Sequence, residues 1–478
     1  LNFSFSAKPH PDVEVFVELQ AVPTKPETRK HGTSVGDVTV RGPDQPGKPE
    51  GALIAIVSLG PLKEATAETV RRTGGAAAKW INGQSAKRAA VELAGLSSLK
   101  MPNAPAAFVE GLALGAFDFN RHKTREKAKS VETSVEIIPA RVTAGVRKTI
   151  EEALKVSEAA NLAREWAHEP PNVINPLTLA ERVRKLAASL KLKCKVFDEK
   201  QLKAMKANAL LGVGMGSKTP SRLIVLEHAG HSKARKAKPV VLIGKAITFD
   251  TGGYSLKDKT NIVGMKYDKC GGMAVLGTMQ AVAALKLRCP VVGIIAAAEN
   301  MISGEAYRPN DIITTMSGKT VEIISTDAEG RMVLADALTY ACKNYQPRAL
   351  INLATLTGGI VVALGNFRAG IMSTSDRLAD ALIASGERVH ERLWRMPLDD
   401  DYFDLIKGDD SDMKNAAGRT AHPIIGGIFL KQFVDEKVPW AHLDIAGMGD
   451  TDKDQPYCPK GATGFGVRLL VDYIRRLR

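Results

Sequence analysis

What most constrains the fold is a regular exchange, after the double proline Pro170-Pro171, between short apolar runs and longer stretches of helical spacing. Leu223–Leu226, Val240–Ile243, Val291–Ala297, Val321–Ile324 and Ala349–Leu353 are short apolar runs and read as buried strands. Met273–Leu285 and Met332–Cys342 are the clearest helices between them. This alternation predicts a sheet covered by helices on both faces. Ahead of it, Val146 to His168 carries an amphipathic pattern without Gly or Pro, and Pro170 stops it for want of an N–H. The first part is smaller and mixed. Ala52–Val57 reads as a strand, Ala65–Ile81 as helical spacing interrupted by Gly74 and Gly75, and residues 21–50 as an exposed loop region. At 478 residues the chain exceeds what one hydrophobic core serves. The expected fold class is α/β with two domains. A small N-terminal α/β domain spans 1–145, a connecting helix spans 146–171, and a larger α/β domain with a central mixed sheet flanked by helices spans 172–478.

Several function classes recede on composition and motif. The five cysteines are odd in number, scattered and without a Cys-x-x-Cys pair, which argues against a disulfide framework or a thiolate zinc site and fits a reducing cytoplasm. No apolar stretch is long enough to span a bilayer, and Leu-Asn-Phe-Ser-Phe-Ser at the start lacks the build of a secretory signal. The net charge of +14 permits nucleic-acid binding, but the basic residues are spread out. The densest cluster, Lys233–Lys238, reads as a solvated loop between apolar runs. Gly212-Val-Gly-Met-Gly-Ser-Lys-Thr219 nearly spells a phosphate loop, yet Ser217 replaces the required glycine and a strand follows instead of a helix. The acidic stretch Asp399–Asp412 lacks the Gly and Glu of a calcium loop and reads as a solvated face. No His-Glu-x-x-His occurs.

Chemistry concentrates in two segments. Val240–Lys257 runs Val-Val-Leu-Ile-Gly-Lys-Ala-Ile-Thr-Phe-Asp-Thr-Gly-Gly-Tyr-Ser-Leu-Lys, with Asp268 shortly after; Thr326-Asp-Ala-Glu-Gly-Arg331 leads into an apolar helix. Ligands of open α/β sheets sit outside the carboxyl ends of strands, and Lys245, Asp327 and Glu329 are expected at or just past such ends. Asp250, Asp268, Asp327 and Glu329 in one cleft would repel unless a cation neutralised them. An oxygen-rich donor set without Cys or His points to Mg, Mn or Zn, and bridging carboxylates suit two ions about 3.5–4 Å apart. The bland alternative is that Asp327 caps the following helix.

Thr326–Arg331 resembles the signature of the leucyl aminopeptidase family, and Gly244–Lys257 resembles that family's other metal segment. Leu353-Ala-Thr-Leu-Thr-Gly-Gly359 and Trp440-Ala-His-Leu-Asp-Ile-Ala-Gly447 are similar to further blocks, so the likeness runs from about Asn161 to the C-terminus. The resemblance implies a cytoplasmic, hexameric metalloexopeptidase that releases N-terminal, leucine-like residues from peptides, with 172–478 as its catalytic domain. It implies Lys245, Asp250, Asp268 and Glu329 around a tightly held ion, and Asp250, Asp327 and Glu329 around an exchangeable one. The ions would be Mn or Zn, with Mg or Co possible in the exchangeable place. It further implies Lys257 as the carbonyl-polarising group, bicarbonate at Arg331 as general base, and Met265, Thr355, Gly358 and Ala446 lining the first-residue pocket. Ala246, Ser325, His422 and Pro423 depart from the family pattern. A rival reading from another class is a DNA-binding architectural protein on the same fold.

Overall fold

The computed structural model describes residues 1–22, 34–43, 45–124, 132–140, 143–230 and 237–477. The Lys233–Lys238 loop and the loop at 21–50 therefore lie partly outside the described residues. The chain divides into two compact units, Leu1–Asn161 with Asp452–Lys460, and Leu162–Thr451 with Gly461–Arg478.

The first unit holds a six-stranded sheet of β1 (Asn2–Phe5), β2 (Val15–Val22), β3 (Val38–Arg41), β4 (Leu53–Pro61), β5 (Arg88–Glu92) and β6 (Ser134–Ile138), in the order β1-β6-β5-β2-β4-β3. All pairs are parallel except β3 with β4. Alternate residues Val15, Val17, Ala55, Val57, Ala89 and Val91 point to one core, shared with α1 (Ala67–Gly83) and α2 (Ala104–Gly115). Gly74 and Gly75 do not interrupt α1, contrary to the sequence expectation. A Cβ on Gly74 would lie 2.1 Å from Phe108 O, so its absence lets α2 approach; tertiary packing outweighs helix propensity here. Lys79 Nζ donates to Gln455 O at 2.7 Å, which ties the distant segment Asp452–Lys460 to this unit.

The division falls inside α3 (Ala144–His168). The second unit carries an eight-stranded mixed sheet. Its strands are β7 (Lys193–Phe197), β8 (Arg222–His228), β9 (Val240–Asp250), β10 (Val291–Asn300), β13 (Ala349–Ala354), β14 (Ala369–Ser373), β15 (Leu393–Arg395) and β17 (Trp440–Asp444). Their order is β15-β14-β17-β13-β9-β10-β8-β7. The centre is parallel, while β8 runs antiparallel to β10 and β14 antiparallel to β17. Val321–Ile324 does not join this sheet. Val321 and Glu322 fall in β12 (Thr320–Glu322), paired with β11 (Ile312–Thr314) and β16 (Met413–Lys414) in a separate small sheet, while Ile323 and Ile324 lie past its end. The helices are α4 (Pro176–Ser189), α5 (Glu199–Ala204), α6 (Asn208–Gly214), α7 (Cys270–Ala284), α8 (Glu329–Tyr345), α9 (Gly358–Leu364), α10 (Asp376–Val389), α11 (His422–Lys431) and α12 (Val467–Arg475). The near-phosphate loop is thus the end of α6, followed by β8.

Helices cover both faces of β9. On one face Val241, Ile243 and Ile247 join Met332, Leu334, Ile425 and Phe429 of α8 and α11 in a continuous core. On the other face Gly244 meets the start of α7, where an added Cβ would stand 2.4 Å from Gly271 O. Ala246, the departure beside Lys245, is fully buried here, and Gly272 opposite it has no Cβ to collide with.

Candidate active site

Lys245 lies inside β9, not past its end, because the strand continues to Asp250. The register shows why both residues reach one cleft. Ala298 of β10 pairs with Ile247 and Asn300 with Asp250, so three steps along β9 oppose two along β10. Side chains alternate strictly along a strand, and residues five apart would face opposite ways. The one-residue bulge reverses the alternation and brings Asp250 onto the face of Lys245. Asp268 comes from the short 3-10 turn Met265–Lys269 before α7. Asp327 sits in the loop after β12, and Glu329 is the first residue of α8. Asp327 does not cap α8: Ala328 occupies that position, and no side-chain cap is made.

Two ammonium groups each bridge two carboxylates. Lys245 Nζ is 2.8 Å from Asp268 and 2.7 Å from Glu329; Lys257 Nζ is 3.0 Å from Asp250 and 2.5 Å from Asp327. Oxygens of Asp250, Asp327 and Glu329 converge within 4.8 Å of one another. With every group ionised, four carboxylates against two ammonium ions leave two negative charges uncompensated in a largely buried pocket. Burial, and after it the charges of Glu329 and Asp250, push Asp268 up to about 7 against the pull of Lys245. Burial and then Asp250 push Glu329 up to about 7 and Asp327 up to about 6. Burial pulls the Lys245 ammonium down, but Asp268, Glu329 and Asp250 together outweigh it and raise it. Asp268 Oδ2 is buried and has no hydrogen-bond partner among the described residues. Excess negative charge, hard oxygen donors and an orphaned carboxylate oxygen fit divalent cations.

Arg331, 2% exposed, follows from α8. Its Nη1 donates to Asn415 O at 2.8 Å, while its Nε has no partner among the described residues. Ser325 packs into the same loop. Its N–H donates to Asn415 Oδ1, and its Oγ accepts from Asp327 N at 3.2 Å. Of the four expected pocket residues, Thr355 is joined directly to the cluster. Its carbonyl accepts from Lys245 Nζ at 3.0 Å and its hydroxyl donates to Asp268 Oδ1 at 2.7 Å. Met265 opens the turn bearing Asp268, Gly358 opens α9 with open space where a Cβ would stand, and Ala446 N donates to Asp444 Oδ1. His422, the first residue of α11, packs on Gly359 next to Gly358. Sequence reasoning missed Asn300, Asn415 and His442, all fully buried and polar. Only an Asn closing the long apolar run of β10 was a visible signal.

Comparisons with known proteins identify the family. The catalytic-domain model of the cytosol aminopeptidase family matches residues 161–471. The N-terminal-domain model of the same family matches residues 44–126, which extends the likeness beyond the Asn161 limit read from the motifs. A probable cytosol aminopeptidase of Geotalea uraniireducens is 42% identical over 435 residues, covering 90% of this chain and 87% of that protein. One of Rhizobium etli is 43% identical over 436 residues, covering 89% and 86%. Among solved structures, the bottromycin maturation enzyme BotP in complex with Mn superposes with a TM-score of 0.87 at 31% identity, covering 97% of this chain and 99% of that one. A tomato leucine aminopeptidase mutant superposes at 0.86 with 32% identity, covering 100% and 97%. These comparisons give no support to the DNA-binding alternative. The chain belongs to the cytosol aminopeptidase family, and it is a metal-dependent aminopeptidase that acts on peptides.

Proposed function

We propose that two divalent ions, Mn or Zn with Mg or Co as alternatives in the exchangeable place, serve this site. Lys245, Asp250, Asp268 and Glu329 would hold the tighter ion, and Asp250, Asp327 and Glu329 the looser one. The observation that carries this reading is the pair of ammonium bridges: each lysine stands between two carboxylates, as a cation would. Binding through Lys245 requires its amine neutral, so metal uptake releases a proton. When bound, the ions supply Lewis acidity toward the scissile carbonyl and the attacking water.

The chain's own groups do the rest. Lys257, partly open to the cleft, donates to the carbonyl oxygen and offsets the charge that grows on it in the tetrahedral state. Arg331 holds bicarbonate as proton acceptor, its Nε–H, without a partner among the described residues, being one available donor. Met265, Thr355, Gly358 and Ala446 receive the side chain of a leucine-like first residue. A homohexamer in the cytoplasm is supported by the family likeness. It would also account for Val362 and Phe367 standing 89% and 82% exposed on this chain, since large apolar side chains gain by burial against another copy. No helix among the described residues is long and apolar enough to cross a membrane.

The test is hydrolysis of a panel of aminoacyl reporter substrates after chelation and reloading with Mn, Zn, Co or Mg. Lys257→Ala should lower kcat about 100-fold or more with metal content near that of the parent. Full activity in that variant would remove Lys257 from its role.

A further inference from the structure

Asn300 ends β10 directly opposite Asp250, at the position the bulge creates, and is completely buried. Its side-chain Nδ2 donates to Asp250 Oδ1 at 2.8 Å and to Thr326 O at 3.0 Å. Both partners are pure acceptors, so the orientation of the amide is fixed: the NH2 group must face them. Its backbone carbonyl accepts from Thr251 N at 3.0 Å and Thr251 Oγ1 at 2.9 Å, which holds the residue itself in place. Asn300 Oδ1 points elsewhere, buried and without a hydrogen-bond partner among the described residues. A Cβ on Gly253 would lie 3.2 Å from it. A buried, half-satisfied amide costs stability relative to an apolar residue of similar size, so its presence calls for another reason.

That reason is visible in what the amide joins. Asp250 Oδ1 also accepts from Gly252 N at 2.9 Å. With two N–H donors on Oδ1, the carboxylate plane is set and Oδ2 is left for Lys257. Thr326 O also accepts from Tyr307 Oη at 2.8 Å, so the peptide leading into Asp327 is pinned by two donors. One amide thus connects the end of β9 with the loop of Asp327, and these elements carry two of the three converging carboxylates.

We propose that Asn300 is a positioning residue of the metal centre: by clamping Asp250 to the Thr326 carbonyl, it sets the spacing of Asp250 and Asp327 and with it the affinity for the looser divalent ion. This rests on the two-ion reading above. Groups that orient metal ligands in this way typically change affinity by about 10–100-fold when removed.

The experiment is calorimetric titration of chelator-stripped protein with MnCl2, comparing the parent with N300A and N300L. The second substitution roughly keeps the volume and removes the donor without adding charge. Both variants should bind the weaker Mn equivalent about 10–100-fold less tightly, and the tighter equivalent, which shares Asp250 but not Asp327, should lose less. Their kcat should recover as Mn is raised, with peptide KM little changed. A purely structural asparagine would lower Tm and leave the isotherm of the folded protein unmoved. Y307F, which removes the other donor on Thr326 O and keeps the aromatic ring, is a milder variant should the first two fail to fold. It too should weaken the second step. Isotherms within about threefold of the parent in the folded variants overturn the inference. A parent protein that takes up fewer than two Mn overturns the two-ion reading, and the inference with it.

Discussion

At the scale of single residues, a buried chain beneath Arg331 illustrates how the fold fixes a protonation state. Trp440 Nε1 donates to Asn352 Oδ1 at 2.8 Å, so the Asn352 amide nitrogen faces His442 Nδ1 at 2.7 Å. An indole can only donate, and therefore His442 Nδ1 accepts and the neutral ring carries its proton on Nε2. Burial first, and the charge of Arg331 second, push His442 down to about 3. In the unfolded chain the same ring takes a proton near 6.5. The folded pKa is depressed, so the contribution of His442 to stability is complete above about pH 6.5 and is lost as pH falls toward 3. His442→Gln should flatten this part of the acid limb, the two proteins diverging by on the order of 2–4 kcal/mol between pH 7.5 and 4. Urea midpoints across that range measure it, and parallel curves would refute it. Residues of this kind were not legible beforehand. Asn352 and His442 are ninety positions apart, and Asn300 and Asp250 fifty, so their partnerships exist only once strands pair. The acids and lysines were legible because no apolar core explains that many charges at the tips of apolar runs.

At the scale of elements, the strands and helices around the site followed from apolar periodicity, while their ends did not. β9 outlasts Val240–Ile243 because Lys245, Thr248 and Asp250 are polar yet buried, each satisfied by a partner remote in sequence. The same reliance on distant backbone governs α7. A Cβ on Gly271 would stand 2.3 Å from Leu353 O, a carbonyl of β13 that cannot move without disturbing the sheet. Gly271→Ala should therefore cost about 1–3 kcal/mol in chemical denaturation. It should also weaken Mn binding, since Asp268 precedes this helix by two residues. Unchanged stability would mean that the helix start has room to retreat. Gly74 of α1 teaches the converse lesson: a residue that reads as a helix breaker marks a close crossing of two helices.

For the whole molecule, the two-domain α/β plan was legible, because composition, length and alternation all point the same way. The return of Asp452–Lys460 to the first unit was not, since nothing local in that segment distinguishes it from a surface loop. Ligand linkage supplies the global prediction. A cation that binds only the folded chain stabilises it by about 2.7 kcal/mol at one hundred times its Kd. Adding Mn to chelator-treated protein should raise Tm, and Asp250→Asn should abolish most of that rise. A thermal shift that ignores Mn in the parent would contradict the carboxylate cluster's role as a cation site. The bulge in β9 has a final consequence for variation. Exchanging one apolar residue for another along this strand alters packing by degrees, whereas deleting one residue between Ile247 and Asp250 would turn the terminal carboxylate to the opposite side of the sheet. Length, more than chemical identity, is the property that this stretch of chain is least free to change.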